Sequence, residues 1–354
     1  MFLEKRISKY MDKKFNFYLY IVLFVIIYFI FMIIKKIIMK NRLRKEQFNF
    51  NDEIINLKTL DKFNKKFNTG VIKLPKDTIL FGLEDNKLYE YYDEKGWNYY
   101  YLPYLINYIM DEINPKLNKT KYYFILYYWD GYNKMLDESN VNIGNNYILT
   151  FSKYYKNDNN TIPIVDPHYI LRHGYIENIN IINNNFVNWE DKINTCIWRG
   201  DIKNGYSYNF FNKPSTDIHP REYFIQLYEK SLIYNMDFKN EQTSIPEQLK
   251  YKYILDIDGF ASTWSATVWK LYSGSVLLKQ KSVWTQWYYD DLQEYVHYVP
   301  IANDFSDLNK QIQWCIDNDD KCKIIVTNAK KFVEDRLNWD RVKNDMINTF
   351  NKII

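Results

Sequence analysis

Residues 251–280, YKYILDIDGFASTWSATVWKLYSGSVLLKQ, set two apolar runs on either side of a patch of Gly, Ala, Ser and Thr. The first run stops at Asp258-Gly259, and Ser262, Thr263, Ser265 and Thr267 follow. Small hydroxylated residues at the head of a helix suit one chemistry. They leave backbone N–H groups open where the helix carries a partial positive charge, and a phosphate fits there. The pattern is neither G-x-G-x-x-G nor a P-loop. Ordinary capping by Ser262 or Thr263 is the plainer reading. Metal chemistry has no support. The three cysteines (Cys196, Cys315, Cys322) and four scattered histidines show no zinc spacing. Cys315 and Cys322, seven apart on one expected helix, would lie about 10 Å apart, too far for a disulfide. A glycoside hydrolase needs two opposed carboxylates, and nothing in the chain pairs two.

These residues need a scaffold. KYILDIDG reads as a strand, STWSATVWKLYS as a helix ended by Gly274, and SVLLKQ as the next strand. Upstream, KTKYYFILYYWDGYNK, NYILTFSK and INTCIWRGD are continuous apolar runs of the buried-strand kind, the first ending at Asp130-Gly131. HPREYFIQLYEKSLIY reads as a helix with Pro220 near its start. DFSDLNKQIQWCIDNDD reads as a helix capped at Ser306, with Leu308, Ile312 and Cys315 on one face. The tail from Lys323 is helical and amphipathic. Strands alternating with helices place the chain in the α/β class.

Between Lys14 and Lys35 lies an uncharged run of 20 residues, 15–34. As a helix it is about 30 Å long and matches a bilayer core. It predicts a single membrane anchor behind a short basic tail (1–14), with a stem at 35–68. Basic residues flank both ends about equally, so charge leaves the orientation open. Residues 1–45 carry 11 Lys/Arg against two Asp/Glu. Of the chain's 47 basic and 43 acidic residues, 36 and 41 remain downstream, a net charge of −5. A mildly acidic domain argues against nucleic acid as a partner. Aromatic content is 19%, but it is spread through the chain like the abundant Asn, Lys and Ile, so it carries little weight as a carbohydrate signal.

Several stretches together resemble the CAP10-type glycosyltransferases, family 90. They are Trp198-Arg199-Gly200, Lys250-Tyr251-Lys252-Tyr253, Asp258-Gly259, Ser273-Gly274-Ser275-Val276 with Lys279, and His297-Tyr298-Val299-Pro300. Their order and spacing carry the resemblance, strong over 193–335 and weaker over 85–190. It implies a GT-B fold of two Rossmann-like domains, here an acceptor-side domain at 69–192 and a nucleotide-sugar domain at 193–330, then a C-terminal helix at 331–354. It implies inverting, metal-independent transfer of a sugar from a UDP-sugar to a protein or glycan hydroxyl, with no cofactor. It implies a type II protein with its domain in an ER- or Golgi-like lumen.

By the same resemblance Asp130 is the catalytic base, although Asp-Gly after a strand is also a common turn. Arg199 with Gly200 faces the diphosphate, and a guanidinium suits that anion. Arg221 opens the next helix, and Lys153 lies near the cleft. Asp258, Gly259, Ser262, Thr263, Trp264 and Ser265 complete the donor set. The chain departs from the family in two places that matter, one being that Asp130 lacks the family's Arg before it and Pro soon after it. The usual arginine of the loop after Asp-Gly is Ser265 or Thr267 here, and Lys270, a turn further on, is the possible substitute. That loss favours the rival expectation, a degenerate module that binds a glycan or nucleotide without turnover.

Overall fold

A computed structural model describes residues 54–93, 101–132, 142–154, 159–201, 208–209, 217–234, 236–239 and 241–354. The expected anchor at 15–34, the basic tail and most of the stem lie outside the described residues. Among the described residues no helix is long and apolar enough to cross a membrane. The chain divides between Ile54 and Ile55, and both lobes of the fold, apart from Ile54 itself, belong to the unit Ile55–Ile354.

The first lobe is a six-stranded sheet in the order β1-β3-β2-β4-β5-β7. Its strands are β1 (Ile54–Asn56), β2 (Thr78–Glu84), β3 (Lys87–Tyr92), β4 (Lys121–Tyr127), β5 (Ile148–Thr150) and β7 (Thr161–Pro163). A short β6 (Lys153–Tyr154) stands apart from it. The β2–β3 hairpin turns at Asp85-Asn86, both at positive φ, as a two-residue turn of this kind requires. β2 runs antiparallel to β3 and β4, while β4, β5 and β7 are parallel. Only half of this lobe is therefore Rossmann-like, a correction to the expectation of two such domains. Of the stretch 35–68 expected as a stem, the last helix belongs to the lobe instead. Helix α1 (Leu60–Phe67) sends Phe63 and Phe67 into the core with Leu80, Ile125 and Ile148. Helices α2 (Leu102–Tyr108) and α3 (Pro167–Leu171) complete the lobe, and α4 (Ile176–Asn184) packs on the second lobe, its Asn183 accepting the Tyr272 hydroxyl at 3.2 Å.

The second lobe is an all-parallel sheet in the order β11-β8-β12-β13-β15. Its strands are β8 (Ile193–Arg199), β11 (Met236–Lys239), β12 (Tyr251–Asp256), β13 (Val276–Gln280) and β15 (Val299–Ile301). Minor strands β9 (Tyr208–Asn209), β10 (Asp217–Ile218) and β14 (Trp284–Thr285) lie outside it. All five residues of β13 are buried, as a parallel strand covered on both faces must be. Helices α5 (Pro220–Glu229), α6 (Ile245–Gln248), α7 (Trp264–Tyr272), α8 (Leu308–Asp317) and α9 (Asp319–Arg336) connect and cover the strands. From β8 the chain steps to β11 on one side and then to β12 on the other. That reversal leaves a crevice at the carboxyl ends of β8 and β12, where open α/β sheets hold ligands.

Two local expectations fail for identifiable reasons. Ser306 does not cap α8, because its hydroxyl donates to Asp304 at 2.6 Å and the cap position is Asp307. Cys315 and Cys322 do not share a helix. The chain breaks at Asn318, and the Cys322 thiol donates to the Cys315 carbonyl at 3.4 Å. All three cysteines are free and buried in one core. The last helix, α10 (Trp339–Ile353), returns to the first lobe. Phe350 packs edge-on to Phe124, Trp339 stacks on Tyr169 at 7°, and Asn351 accepts the Asn118 N–H at 3.0 Å.

The lobes meet along the carboxyl ends of their parallel strands. Beyond β4, a Cβ on Gly131 would fall 2.7 Å from the Ala261 Cβ and 2.8 Å from the Trp284 ring. Beyond β5, Ser152 and Ser262 share a buried hydroxyl hydrogen bond, and Phe151 packs on Trp264. β6 pairs antiparallel with β14 across the same seam. Gly131 is therefore glycine for close approach, not for a turn at positive φ.

Candidate functional site

The crevice at the ends of β8 and β12 is a cavity of about 350 Å³. Its walls include Arg199, Gly200, Arg221, Thr263, Ser265 and Lys270. Six residues from the sequence expectation thus converge on one space. Thr263 occupies the cap position of α7 but makes no side-chain cap bond. Its hydroxyl donates to Asp256 at 2.6 Å instead. The first-turn N–H groups at Ser265 and Ala266 have no intrahelical acceptor, and both residues line the cavity. Their partial positive charge is available to an anion.

The three cations around the cavity are held differently. Arg199 donates to the Asp237 carboxylate at 2.6 Å and to the Asp237 and Trp198 carbonyls, with its side chain only 7% exposed. Lys270 is buried, with Nζ 2.6 Å from the Asp256 carboxylate and 3.1 Å from the Leu255 carbonyl. Arg221 donates only to carbonyl oxygens, of Asp201 at 3.0 Å and of Ile257 at 3.3 and 3.4 Å. Among the described residues no carboxylate comes within ion-pairing distance of it, and burial pulls its pKa down. His219 sets its position. The His219 Nδ1 accepts the Arg221 N–H and caps α5, leaving Nε2 to donate to the Gly259 carbonyl at 3.2 Å. Burial holds this imidazole neutral, with its pKa lowered to about 4.

Behind the cavity is a buried network absent from the sequence reading. Burial would raise the Asp256 pKa, but the Lys270 and Lys279 ammonium groups hold it below the usual carboxylate range. Thr263 and Thr267 both donate to its second oxygen. Lys279 lies 4.2 Å over the Tyr289 ring, and the Tyr289 hydroxyl is 3.3 Å from Thr267. Thr267 and Lys270 are therefore committed to Asp256, and Lys270 reaches the cavity from that pairing.

The sequence has recognisable relatives. The model for glycosyl transferase family 90 matches residues 172–353, just over half of the chain. The chain belongs to glycosyl transferase family 90. Protein O-glucosyltransferase 2 of Danio rerio is 29% identical over 197 residues, which cover 52% of this chain and 39% of that protein. Uncharacterized protein 179R of Invertebrate iridescent virus 6 is 33% identical over 144 residues, 39% of this chain and 12% of that protein. The family 90 chain thus spans well under half the length of these curated relatives. A solved structure of Anabaena Alr3699/HepE with UDP-glucose aligns at 15% identity over 45% of this chain and 41% of that one, with a TM-score of 0.31.

Within the family 90 chain the rest of the expected set divides between the seam and the second lobe. Asp130 is half-buried beside Gly131, against the loop that carries Ala261. Asp258 accepts from Ser282 and does not line the cavity, and burial raises its pKa to about 6. Gly259 holds His219, while Ser262 and Trp264 contact the first lobe. Lys153 lies in the β6–β14 ribbon, opposite Thr285. Trp198 and Tyr253 are core residues, at 2% and 0% exposure. The sequence reading assigned no role to Asp237, His219 or Asp256, and Lys279 entered only as a mark of the resemblance. Only His219 had a local signal, as a polar residue directly before Pro220 at a helix start. The other three act through partners that only the folded β8–β11 pair and the β12–α7–β13 unit bring together.

Proposed function

We propose that this chain is an inverting, UDP-sugar-dependent glycosyltransferase that needs no metal. The observation that carries the reading is the cavity itself. A guanidinium with no ion-paired carboxylate among the described residues (Arg221), open N–H groups of α7 and the Ser265 side chain face one space at the sheet's reversal point. A diphosphate is the ligand whose charge and oxygens match them. Glucose or xylose is the favoured sugar, in keeping with the relative named protein O-glucosyltransferase 2, and the acceptor is a hydroxyl on a protein or glycan. Residues 15–34 anchor the chain in a membrane, with the domain in an ER- or Golgi-like lumen.

In the proposed reaction Asp130 takes the proton of the acceptor hydroxyl as its oxygen attacks the anomeric carbon. The bond from that carbon to the β-phosphate oxygen breaks, and UDP leaves. Arg221 and the α7 N–H groups meet the charge that develops on the diphosphate. One observation favours a second reading, a binding module without turnover: Arg199 and Lys270 already have carboxylate partners.

UDP release from UDP-glucose, UDP-xylose, UDP-galactose and UDP-N-acetylglucosamine, without metal, tests the choice. Release from one donor, lowered at least about 100-fold in Asp130→Asn while UDP affinity is kept, is the expected result. Saturable UDP binding with no release from any donor supports the binding module. Full transfer by Asp130→Asn removes Asp130 as the base.

A further inference from the structure

His168 lies past the carboxyl end of β7, on the same sheet edge as Asp130 beyond β4 and Ser152 beyond β5. Asp166 fixes the short helix that carries it. That carboxylate accepts the Tyr169 N–H at 3.0 Å and the Tyr175 hydroxyl at 2.8 Å on both oxygens. The imidazole is half-buried between two aromatic rings, with centroids 4.3 Å from Tyr101 and 5.5 Å from Trp264. Trp264 is the first residue of α7, and the next two residues line the cavity. Among the described residues no hydrogen bond reaches either ring nitrogen of His168, although its partners hold the ring itself in place.

We propose that His168 is a specificity-determining residue that hydrogen-bonds a hydroxyl of the donor's sugar ring. The assignment rests on the proposed nucleotide-sugar function. Trp264 opens α7, at whose head the diphosphate is proposed to sit, and through its ring His168 borders that end of the helix. Burial, then the nearby Arg172 charge, keep the imidazole neutral, with its pKa lowered to about 4. A neutral ring offers one donor and one acceptor, and a sugar hydroxyl can answer either.

The test compares binding of UDP with binding of each of the same four UDP-sugars, by calorimetry on the full chain. The variants are His168→Phe, which keeps the ring between Tyr101 and Trp264 but removes its nitrogens, and His168→Gln, which restores polar atoms. Expected for His168→Phe is UDP affinity within twofold of the parent, with the advantage of the best UDP-sugar over UDP reduced at least tenfold. His168→Gln recovers part of that advantage. His168→Leu gives the same reading should the phenyl ring disturb the seam.

An unchanged advantage in His168→Phe overturns the assignment. So does equal weakening of UDP and UDP-sugar, which would mean His168 only supports Trp264. If the parent binds UDP but prefers no UDP-sugar, the assignment falls while the nucleotide reading stands. If it binds neither, both fall.

Discussion

Arg221 is a half-buried guanidinium surrounded by carbonyl oxygens, whereas Arg199 has its counter-ion in Asp237. The two arginines should therefore fail differently. Arg221→Ala removes a charged donor from the cavity, worth about 1.5–3 kcal/mol, so UDP affinity should fall roughly 10- to 150-fold by titration calorimetry. Arg199→Ala should weaken UDP less than Arg221→Ala, because part of its charge is already answered within the protein. Asp258 makes a second residue-scale prediction. Its folded pKa, about 6, lies above the unfolded value because burial disfavours the charged form. The stabilisation from its protonated form is fully present below the unfolded pKa and lost as pH rises through 6. Asp258→Asn should therefore melt higher than the parent at pH 7.5 and lose that advantage by pH 4. A constant difference across that range would contradict the assignment.

At the scale of elements, the β12–α7–β13 unit does two jobs. Its loop reaches the seam through Ser262 and Trp264, and its helix opens its N–H groups to the cavity. α7 has to stop sharply so that β13 can start at Val276, and Gly274 at φ +71° makes the stop. A side chain there has room, its Cβ 3.4 Å from the nearest Phe186 carbon, so the cost is backbone conformation alone. Gly274→Ala should lower stability by about 1 kcal/mol, read as a shift of the urea midpoint with unchanged slope. A loss several times larger would mean Phe186 cannot give way.

For the whole molecule, catalysis as proposed needs Asp130 in one lobe to face a donor held by the other. The seam sets that distance, and Gly131 is its tightest point. A methyl group there must displace Ala261 or Trp284. Gly131→Ala should cost about 1–3 kcal/mol as overpacking and slow transfer at least tenfold, because a displacement of about 1 Å can cost 100-fold. UDP affinity should stay near that of the parent, since the cavity lies wholly in the second lobe. Equal losses of binding and transfer would place the damage in the second lobe instead.

Several features were legible without coordinates. β4, β8, β12 and β13 are continuous apolar runs, and burial on both faces writes such runs into local sequence. The helix between Trp264 and Tyr272 showed the same local periodicity, and its small-residue start marked the loop that reaches the cavity. The burial of α1 was hidden because its core partners are strands far along the chain. The cysteine geometry was hidden by one break at Asn318, for which the sequence carries no strong signal. Residue type and order determined which groups could bind a diphosphate. Tertiary structure decided which of them still had charge to offer, because Asp237 on the neighbouring strand meets Arg199 only when the sheet is assembled, and Asp256 meets Lys270 only when α7 folds back on β12.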